Sequence, residues 1–439
     1  MRVFLAACLS LVWLTSAARA EIDIKEVTSP GGLTAWLVED HSIPFVALEI
    51  QFKGGASLDP ADKRGVTYLM SGLLEEGTGD LDARGFARKV EMLAASFDYD
   101  TSDDGISISA RFLTDTTDEA IDLLRRSITE PSFPQDAIER VRAQVLSSIA
   151  SDQTDPSTIA RQSFDALAFG DHPYGQPVSG TAEVVEALTR DDLVAAHRAA
   201  LARDRVYISA VGDITAEQLG AVMDTLLGAL PAEGGAFPNE VPFGLEPGVT
   251  VVEYDTPQSV ALFGHPGLER DHPDFIAAFV INTIFGGGGF EARLMQEVRE
   301  KRGLTYGIYS YLMPKEFSHA FVGQFSSAND RIAEAIDVVQ AEWARIASEG
   351  VSQTELEEAK TYLTGAYPLR FDGNRRIANI LVGMQVDDIP MSYVQERNDL
   401  VNALTLEEIN RVASELFRPD ELGFVVVGKP EGLPTEATQ

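Results

Sequence analysis

Apolar and polar residues alternate along two stretches of the first half of the chain. Residues 46–52 place Val, Leu, Ile and Phe at every second position, with Ala, Glu and Gln between them. Residues 106–112 alternate in the same way, with Ser and Arg as the intervening residues. A period of two predicts half-buried strands of antiparallel sheets. Residues 137–149 and 353–363 follow an amphipathic pattern that predicts helices instead.

Two sequence patterns recur in the second half of the chain. A threonine, an acidic helix start and an apolar strand ending in glycine occupy residues 189–212 and again residues 405–428. In both copies an acidic residue follows the threonine by three positions, which predicts a helix N-cap with a capping box. The sequence Glu-Ala-Ile-Asp at 119–122 returns at 334–337, 215 positions later. The two offsets, 216 and 215 positions, are nearly equal, which predicts an internal duplication.

These patterns together predict the fold class and the domain organisation. We expect an α+β fold of two duplicated halves, each a mostly antiparallel sheet with helices packed on one face. The Pro- and Gly-rich stretch 231–248 is predicted to be a linker between the halves. The expected first half covers residues 21–230, the second half covers 249–430, and 431–439 form a tail.

Residues 1–20 have the order of a secretory signal peptide. Met1-Arg2 is a positive start, residues 3–14 are apolar except for one serine, and Ala18-Arg19-Ala20 is a small-x-small cleavage site. Cleavage after Ala20 and a periplasmic or otherwise exported protein are therefore expected. Cys8 ends a Leu-Ala-Ala-Cys stretch that resembles a lipoprotein signal, but the apolar run continues past it. No later segment has the roughly 20 apolar residues of a membrane span, so none is expected.

Composition excludes several classes of site. Cys8 is the one cysteine and is expected to leave with the signal, so the mature chain has neither a disulfide nor a thiolate ligand. A hydrophobic content of 45% is that of a globular protein. The formal net charge of −33 argues against binding to nucleic acid, because such binding needs a basic surface that neutralises phosphates.

Residues 65–78 follow a strand and are predicted to form a helix that ends at a glycine C-cap. This segment resembles the helix that carries the inverted zinc motif, His-x-x-Glu-His, in the pitrilysin, insulinase and mitochondrial processing peptidase family. The resemblance places the two histidine ligands at Tyr68 and Gly72 and the water-activating glutamate at Ser71. The third ligand of the family, a glutamate in a later helix, falls on Ser148. All four positions are replaced, so no metal is expected to be bound by this chain.

The histidines offer no substitute for that zinc site. No two of the six lie four positions apart on one helix; they are His41, His172, His197, His265, His272 and His319. Structural or solvated roles are expected for them. An autonomous zinc peptidase would need about three protein ligands in a site of its own, and the sequence offers none.

A second part of the family resemblance is intact. The glycine run Gly286, Gly287, Gly288 and Gly289 leads into a helix carrying Arg299, and a strand opens at Tyr306 seven positions later. This arrangement is similar to the second-half signature of the family. The resemblance implies that the arginine and the tyrosine reach the zinc site of another half-molecule, where they bind substrate and stabilise charge on the scissile carbonyl. The glycine run lacks the lysine of a P-loop and is expected to form a flexible loop that contacts substrate.

The resemblance covers nearly the whole mature chain and leads to one hypothesis with an alternative. The leading hypothesis is the non-metal subunit of a heterodimeric zinc metallopeptidase that cleaves peptides or unfolded segments. Its zinc-bearing paralogous partner would hold the zinc, and this chain would contribute Arg299 and Tyr306. The alternative is a catalytically inactive peptide-binding or scaffold protein of the cell envelope.

Overall fold

The alternating segments form the central strands of two sheets in a computed structural model that describes residues 22–433. The predicted signal segment 1–20 with Cys8, and residues 434–439 of the predicted tail, lie outside the described residues. The strands are β1 Lys25–Thr28, β2 Thr34–Glu39, β3 Phe45–Lys53, β4 Gly77–Thr78, β5 Leu81–Asp82, β6 Ser96–Thr101, β7 Gly105–Leu113, β8 Val206–Gly212, β9 Gly248–Glu253, β10 Gln258–Pro266, β11 Ile308–Lys315, β12 Ser318–Ala328 and β13 Gly423–Gly428.

The helices confirm both segments that the amphipathic pattern predicts. They are α1 Val66–Ser71, α2 Ala83–Met92, α3 Thr117–Thr129, α4 Gln135–Asp152, α5 Pro156–Phe169, α6 Ala182–Ala187, α7 Arg190–Ala200, α8 Ala216–Leu227, α9 Phe275–Asn282, α10 Ile332–Glu349, α11 Gln353–Ala366, α12 Asn374–Val386, α13 Tyr393–Ala403 and α14 Leu406–Leu416. Two wider π-helical segments, Thr283–Gly287 and Met295–Glu300, follow α9. None of the helices within residues 22–433 combines the length and the apolar character that crossing a bilayer requires.

The two halves repeat one sheet topology. The first sheet has the order β1-β2-β8-β3-β7-β6, and the second has the order β11-β12-β10-β13-β9. In each, one pair is parallel, β2 with β8 and β9 with β13, and the remaining pairs are antiparallel. Strands β2, β8, β3, β7 and β6 therefore correspond to β9, β13, β10, β12 and β11. This correspondence confirms the predicted α+β class and the duplication.

The repeated threonines cap corresponding helices. Thr189 begins α7 and accepts a hydrogen bond from the backbone N–H of Asp192, whose carboxylate accepts from the Thr189 N–H at 2.8 Å. Thr405 and Glu408 form the same capping box at the start of α14. Each helix leads into a central strand, β8 or β13, so the repeat marks equivalent positions in the two cores. The capping prediction is confirmed in both copies.

Each sheet is also covered on its second face by a helix from the other half. Helix α5 of the first half packs on β10 and β13, where Phe164 meets a cluster of buried valines and leucines. Helix α12 of the second half packs on β3 and β8, and its Leu381 joins a cluster with Trp36 and Val211. Glu49 on β3 is consequently 2% exposed, although a half-buried strand would place it in water. The exchange of helices joins the two halves through apolar contacts in addition to the chain connection at the predicted linker.

The turn between β11 and β12 reaches into the first half and forms ionic contacts there. Lys315 donates to Asp103 at 2.7 Å, and the neighbouring Glu316 pairs with Lys53 at 2.9 Å. The Lys315 ammonium also lies 3.9 Å from the centre of the Tyr174 ring. These charged side chains are largely covered, so the contacts fix the position of the turn more firmly than exposed ion pairs would.

The segment 65–78 departs from the prediction of a single helix. Helix α1 ends at Ser71, with Gly72 as its C-cap, and Gly77–Thr78 form the short strand β4 instead. A glycine lowers helix propensity by about 1 kcal/mol relative to alanine, which favours an end at Gly72. Beyond it the Thr78 hydroxyl donates to the Arg126 carbonyl at 2.6 Å, which holds the chain extended against the end of α3.

Candidate functional site

Helix α1 carries Tyr68 and Ser71, two of the four positions that the family resemblance assigns to the replaced zinc residues. Its start is fixed by Asp59, which accepts hydrogen bonds from the backbone N–H groups of Gly65 at 2.8 Å and Thr67 at 3.2 Å. Burial raises the pKa of Asp59 to about 6. One turn on, Ser71 is buried and donates to the Tyr68 carbonyl at 3.0 Å. The serine hydroxyl also accepts from the Thr101 hydroxyl on β6 at 2.7 Å, so it is occupied by contacts within the first half.

A cavity of about 470 Å³ lies between the two halves and brings together two of the four positions that the resemblance assigns. Tyr68 and Ser148 line it from the first half, and Tyr311 and Gln324 line it from the second. Ser71 and Gly72 do not line the cavity. Within residues 22–433, no three His, Cys, Asp or Glu side chains come together as a metal site would require. The lining of the cavity offers hydroxyl, amide and charged groups that suit contacts with polar ligands.

The histidines make structural contacts where the structure places them in the core. His197 is hydrogen-bonded through Nε2 to the Ile128 carbonyl at 2.7 Å, and His265 accepts from the Trp343 indole N–H at 3.1 Å. Burial lowers the pKa of His265 to about 4, which keeps its imidazole neutral. Both rings are thus held by packing in the cores of their respective halves.

Asp165, on α5, is the most perturbed carboxyl group of the cavity. Burial raises its pKa to about 6, against the opposing effect of the Lys315 charge. The folded state therefore binds a proton at pH values where the unfolded chain has lost it. Stability conferred by this group is present at low pH and is lost as the pH rises from about 4 to about 6.

Replacing this carboxyl group, in Asp165→Asn, is expected to stabilise the protein at neutral pH. The amide removes a partly buried charge, so the free energy of unfolding at pH 7.5 should rise by about 1–2 kcal/mol after allowing for solvent screening. Near pH 4 the difference should shrink, because the wild-type carboxyl group is then protonated in the folded state. Urea unfolding of both proteins at the two pH values measures this. An equal difference at both would contradict it.

Arg299 and Tyr306 lie on the surface of the second half and do not line the cavity between the halves. Arg299, on the π-helical segment Met295–Glu300, pairs with Glu300 at 3.3 Å and lies 4.6 Å from the centre of the Phe290 ring. Tyr306 precedes β11 and is 87% exposed, and Phe290 is 60% exposed. We name Arg299, Tyr306 and Phe290 the second-half patch.

Close packing and backbone conformation explain why glycine occupies several positions of the run beside this patch. A Cβ atom at Gly286 would lie 2.2 Å from the Ser310 hydroxyl, and one at Gly288 would lie 2.4 Å from the Thr283 carbonyl oxygen. Gly289 instead has open space around it and a φ of +73°, a conformation that favours glycine. The close approach to β11 explains the first part of the run. Contact with substrate by Gly286, Gly287, Gly288 and Gly289 stays a prediction.

Glu297 anchors the π-helical segment that carries Arg299. It is 8% exposed and accepts from Lys301 at 2.6 Å and from Arg302 at 2.8 Å. Burial opposes its ionisation, but the hydrogen bonds from these two cations outweigh burial and hold the pKa of Glu297 below its ordinary value. Wide helical turns of this kind are frequent at functional sites. The carboxylate therefore holds the segment on which the orientation of Arg299 depends.

The substitution Glu297→Gln is expected to destabilise the protein by about 1–2 kcal/mol at pH 7, because two charge-assisted hydrogen bonds are weakened. A carboxyl group whose pKa is lowered by folding stabilises the protein at pH values above its ordinary pKa. That stabilisation is lost as the pH falls, so the difference between Glu297→Gln and wild type should shrink at acidic pH. Urea unfolding at pH 7 and pH 4 measures the effect. Glu357→Gln, which affects only exposed contacts, a 3.7 Å pair with Lys360 and a 2.8 Å hydrogen bond from the Gln353 amide, serves as the control and should change little.

Several residues of the cavity were not predicted from the sequence. Asp165, Tyr311 and the Asp103–Lys315 pair belong to no motif, and they converge only because the two halves pack together. The one local signal is in β11, where Tyr309 and Tyr311 share a face of the strand and their rings stack 6.3 Å apart. Alternating exposed tyrosines on a strand at the edge of a sheet could have indicated a binding surface.

Comparison with known proteins relates both halves to one family. Residues 34–182 match the family model described as insulinase (peptidase family M16), and residues 187–363 match the model described as the peptidase M16 inactive domain. The crystal structure of the peptidase M16 inactive domain from Pseudomonas fluorescens has a TM-score of 0.86 and 27% identity, and the match covers 94% of this chain and 99% of that chain.

Two curated relatives match over almost the same length. The non-peptidase homolog YmxG of Helicobacter pylori is 27% identical over 392 residues, which cover 89% of this chain and 90% of the relative. The uncharacterized zinc protease YmxG of Bacillus subtilis is 24% identical, with 90% of this chain and 95% of the relative covered. Since the names of these relatives differ on peptidase activity, the residues of this chain must decide its chemistry.

Proposed function

The chain belongs to the M16 peptidase family, and we propose that it is the non-metal subunit of a heterodimeric zinc metallopeptidase. The zinc residues of the family are replaced at Tyr68, Ser71, Gly72 and Ser148, so the metal would be held by a paralogous partner. The substrates would be peptides or unfolded segments, enclosed between the two subunits. An exported chain, processed near Ala20, would act in the periplasm.

The exposure of Tyr306 is the observation that carries this proposal. Tyr306 is 87% exposed and its hydroxyl has no partner within the described part of the chain, and tyrosine is a residue type enriched at protein interfaces. Arg299, seven positions earlier in the chain, pairs with its sequence neighbour Glu300 and stacks on the exposed Phe290 ring. An arginine and a tyrosine presented outward, away from the cavity of their own chain, suit a site completed by a second subunit.

The chemistry assigned to this pair follows from their donors. The Tyr306 hydroxyl would donate a hydrogen bond to the carbonyl oxygen of the scissile peptide bond as negative charge develops there. The Arg299 guanidinium would bind a carbonyl of the substrate backbone and fix its position. Zinc bound by the partner would supply the activated water. Neither residue of this chain needs to gain or lose a proton in these roles.

The second candidate is a catalytically inactive peptide-binding or scaffold protein. The name of the Helicobacter pylori relative, a non-peptidase homolog, favours it, as does the replacement of all four zinc positions. The cavity between the halves, with Tyr68, Tyr311 and Gln324 in its lining, would then be the peptide-binding site. This candidate gives Arg299 and Tyr306 no chemical role.

Co-expression with a zinc-bearing paralogue from the same genome tests the subunit assignment. A one-to-one complex that holds about one zinc is expected, and separation of the subunits should leave the metal with the partner. Charge reversal in Arg299→Glu should weaken assembly or activity, whereas Arg331→Glu, at an exposed intrahelical pair with Glu334, should change neither. Failure of the two chains to associate, or zinc retained by this chain, would contradict the proposal.

A further inference from the structure

A second cavity lies within the second half, between α9, α12, α13 and the turn that follows α11. Its volume is about 310 Å³, within the range of small-molecule sites. The rings that line it are those of Phe275, Phe279, Tyr367, Phe371 and Tyr393. None of them belongs to the second-half patch or to the cavity between the halves. This aromatic cavity is separate from the features on which the proposed function depends.

The charge of the aromatic cavity is opposite to that of the protein. The chain has a formal net charge of −33, yet three arginines line this cavity against one acidic residue, Asp387. Arg270 lies 3.4 Å from Asp387 and stacks 4.3 Å from the centre of the Phe275 ring. Arg370 and Arg397 form no ion pair with any described residue. The walls therefore carry two cations that have no counter-ion among residues 22–433, in an otherwise acidic molecule.

Arg397 is the more unusual of these two cations because it is 5% exposed. Its Nη1 donates to the Leu363 carbonyl at 2.9 Å and to the Asn398 side-chain oxygen at 3.2 Å, both neutral acceptors. The guanidinium also lies 4.6 Å from the centre of the Tyr367 ring. A buried charge normally has an opposite charge beside it, because removal from water is costly. An anion that enters the cavity would supply the missing partner.

We propose that this cavity binds a small organic anion with a carboxylate on an apolar, ring-sized body. The planar guanidinium of Arg397 matches a carboxylate in geometry and charge, and Arg370 adds attraction at the exposed edge. The apolar body would lie among Phe279, Tyr367 and Tyr393. A free carboxylic acid and the C-terminal end of a peptide with an aromatic last residue share this chemistry, and both can be tested.

Gly383, on α12, offers a way to fill the cavity without disturbing its walls. It lines the cavity, and a Cβ atom added there would have no other atom within 4 Å. Gly365, on α11, has equally open space, is exposed and does not line the cavity. Both glycines lie within helices, where a larger residue improves helix propensity. Gly383→Leu and Gly365→Leu are therefore a matched pair that differ in access to the cavity.

Calorimetric titration of the full chain with four probes tests the proposal. The probes are 3-phenylpropionate, 3-phenylpropanamide, the peptide Ala-Ala-Phe and its C-terminal amide. We expect 3-phenylpropionate to bind at least tenfold more tightly than its amide. Gly383→Leu should weaken that binding at least tenfold, whereas Gly365→Leu should stay within twofold of wild type. Arg397→Gln, if it folds, should abolish the preference for the acid over the amide.

The peptide pair identifies the source of the carboxylate. Tighter binding of Ala-Ala-Phe than of its amide supports a site for peptide ends, and exclusion of both peptides with retention of 3-phenylpropionate supports a site for a free acid. Equal binding of acid and amide overturns the proposal. So does the absence of binding by every probe, or binding to Gly383→Leu that matches wild type.

Discussion

Tyr306→Phe, in a complex with the zinc-bearing partner, is expected to lower turnover of peptide substrates about 100- to 1,000-fold. Removal of one preformed donor to a developing oxyanion typically has an effect of that size. Tyr306 is 87% exposed in this chain, so loss of its hydroxyl disturbs no described contact and the complex should still assemble. The measurement is kcat for a fluorogenic peptide, with complex formation followed by size-exclusion chromatography.

Tyr362→Phe is the matched control for this substitution. Tyr362 is 58% exposed on α11, outside the second-half patch, so its hydroxyl has no proposed role in catalysis. Its removal should leave kcat within twofold of the wild-type complex. If Tyr306→Phe also stays within twofold, while the complex forms normally, the oxyanion role of Tyr306 is wrong.

Trp343→Ala is expected to lower the free energy of unfolding by about 3–5 kcal/mol, the usual cost of truncating a large aromatic residue in a core. Trp343, on α10, is fully buried. Its ring lies 4.8 Å from that of Phe321 on β12 and 5.0 Å from that of Phe285, just before the glycine run. The cavity left by the lost ring would loosen the core around Phe285, the residue immediately before the glycine run. Urea unfolding followed by circular dichroism measures the loss.

Trp343→Phe keeps an aromatic ring but loses the indole N–H. Its comparison with Trp343→Ala therefore separates the effect of ring packing from that of the hydrogen bond. The Trp343 indole N–H donates to His265 Nε2 at 3.1 Å, and phenylalanine would leave that buried nitrogen without a donor. The expected loss is about 1–3 kcal/mol, smaller than that of the alanine variant. Equal losses in the two variants would contradict the assigned importance of ring packing at this position.

Local sequence periodicity was sufficient to predict much of the secondary structure and the duplication. The alternation at residues 46–52 and 106–112 identified β3 and β7, because side chains on opposite faces of a strand meet different surroundings. The repeated threonine identified two helix starts, since a capping box is formed by residues three positions apart. Such signals lie within a few residues of one another, so they can be read without knowledge of the tertiary structure.

Contacts between the halves were beyond this kind of reasoning. Glu49 occupies a polar position in an alternating strand, but α12, more than 300 residues later, covers it. Asp165 and Tyr311 are 146 positions apart, yet both line the same cavity. Helix α1 was predicted to be too long, because Thr78 is held extended by its hydrogen bond to the distant Arg126 carbonyl and by a bridge to Pro131. Tertiary packing decides each of these features.

The candidate site was only partly accessible from the sequence. The family resemblance indicated Tyr68 and Ser148 as replaced zinc positions, and the structure brings both to one cavity. It also indicated Arg299 and Tyr306, which the structure places elsewhere, on the surface of the second half. The resemblance had already assigned the pair to the zinc site of another half-molecule. The absence of both residues from the lining of the cavity in their own chain supports that proposal.

The rate of peptide cleavage by the zinc-bearing paralogue, measured with and without this chain, tests the central claim most directly. This account predicts a rate that rises steeply and saturates at one copy of this chain per paralogue. A rate that is the same with and without this chain, at concentrations where the two proteins are mixed in equal amounts, would contradict the account and favour the inactive binding or scaffold protein.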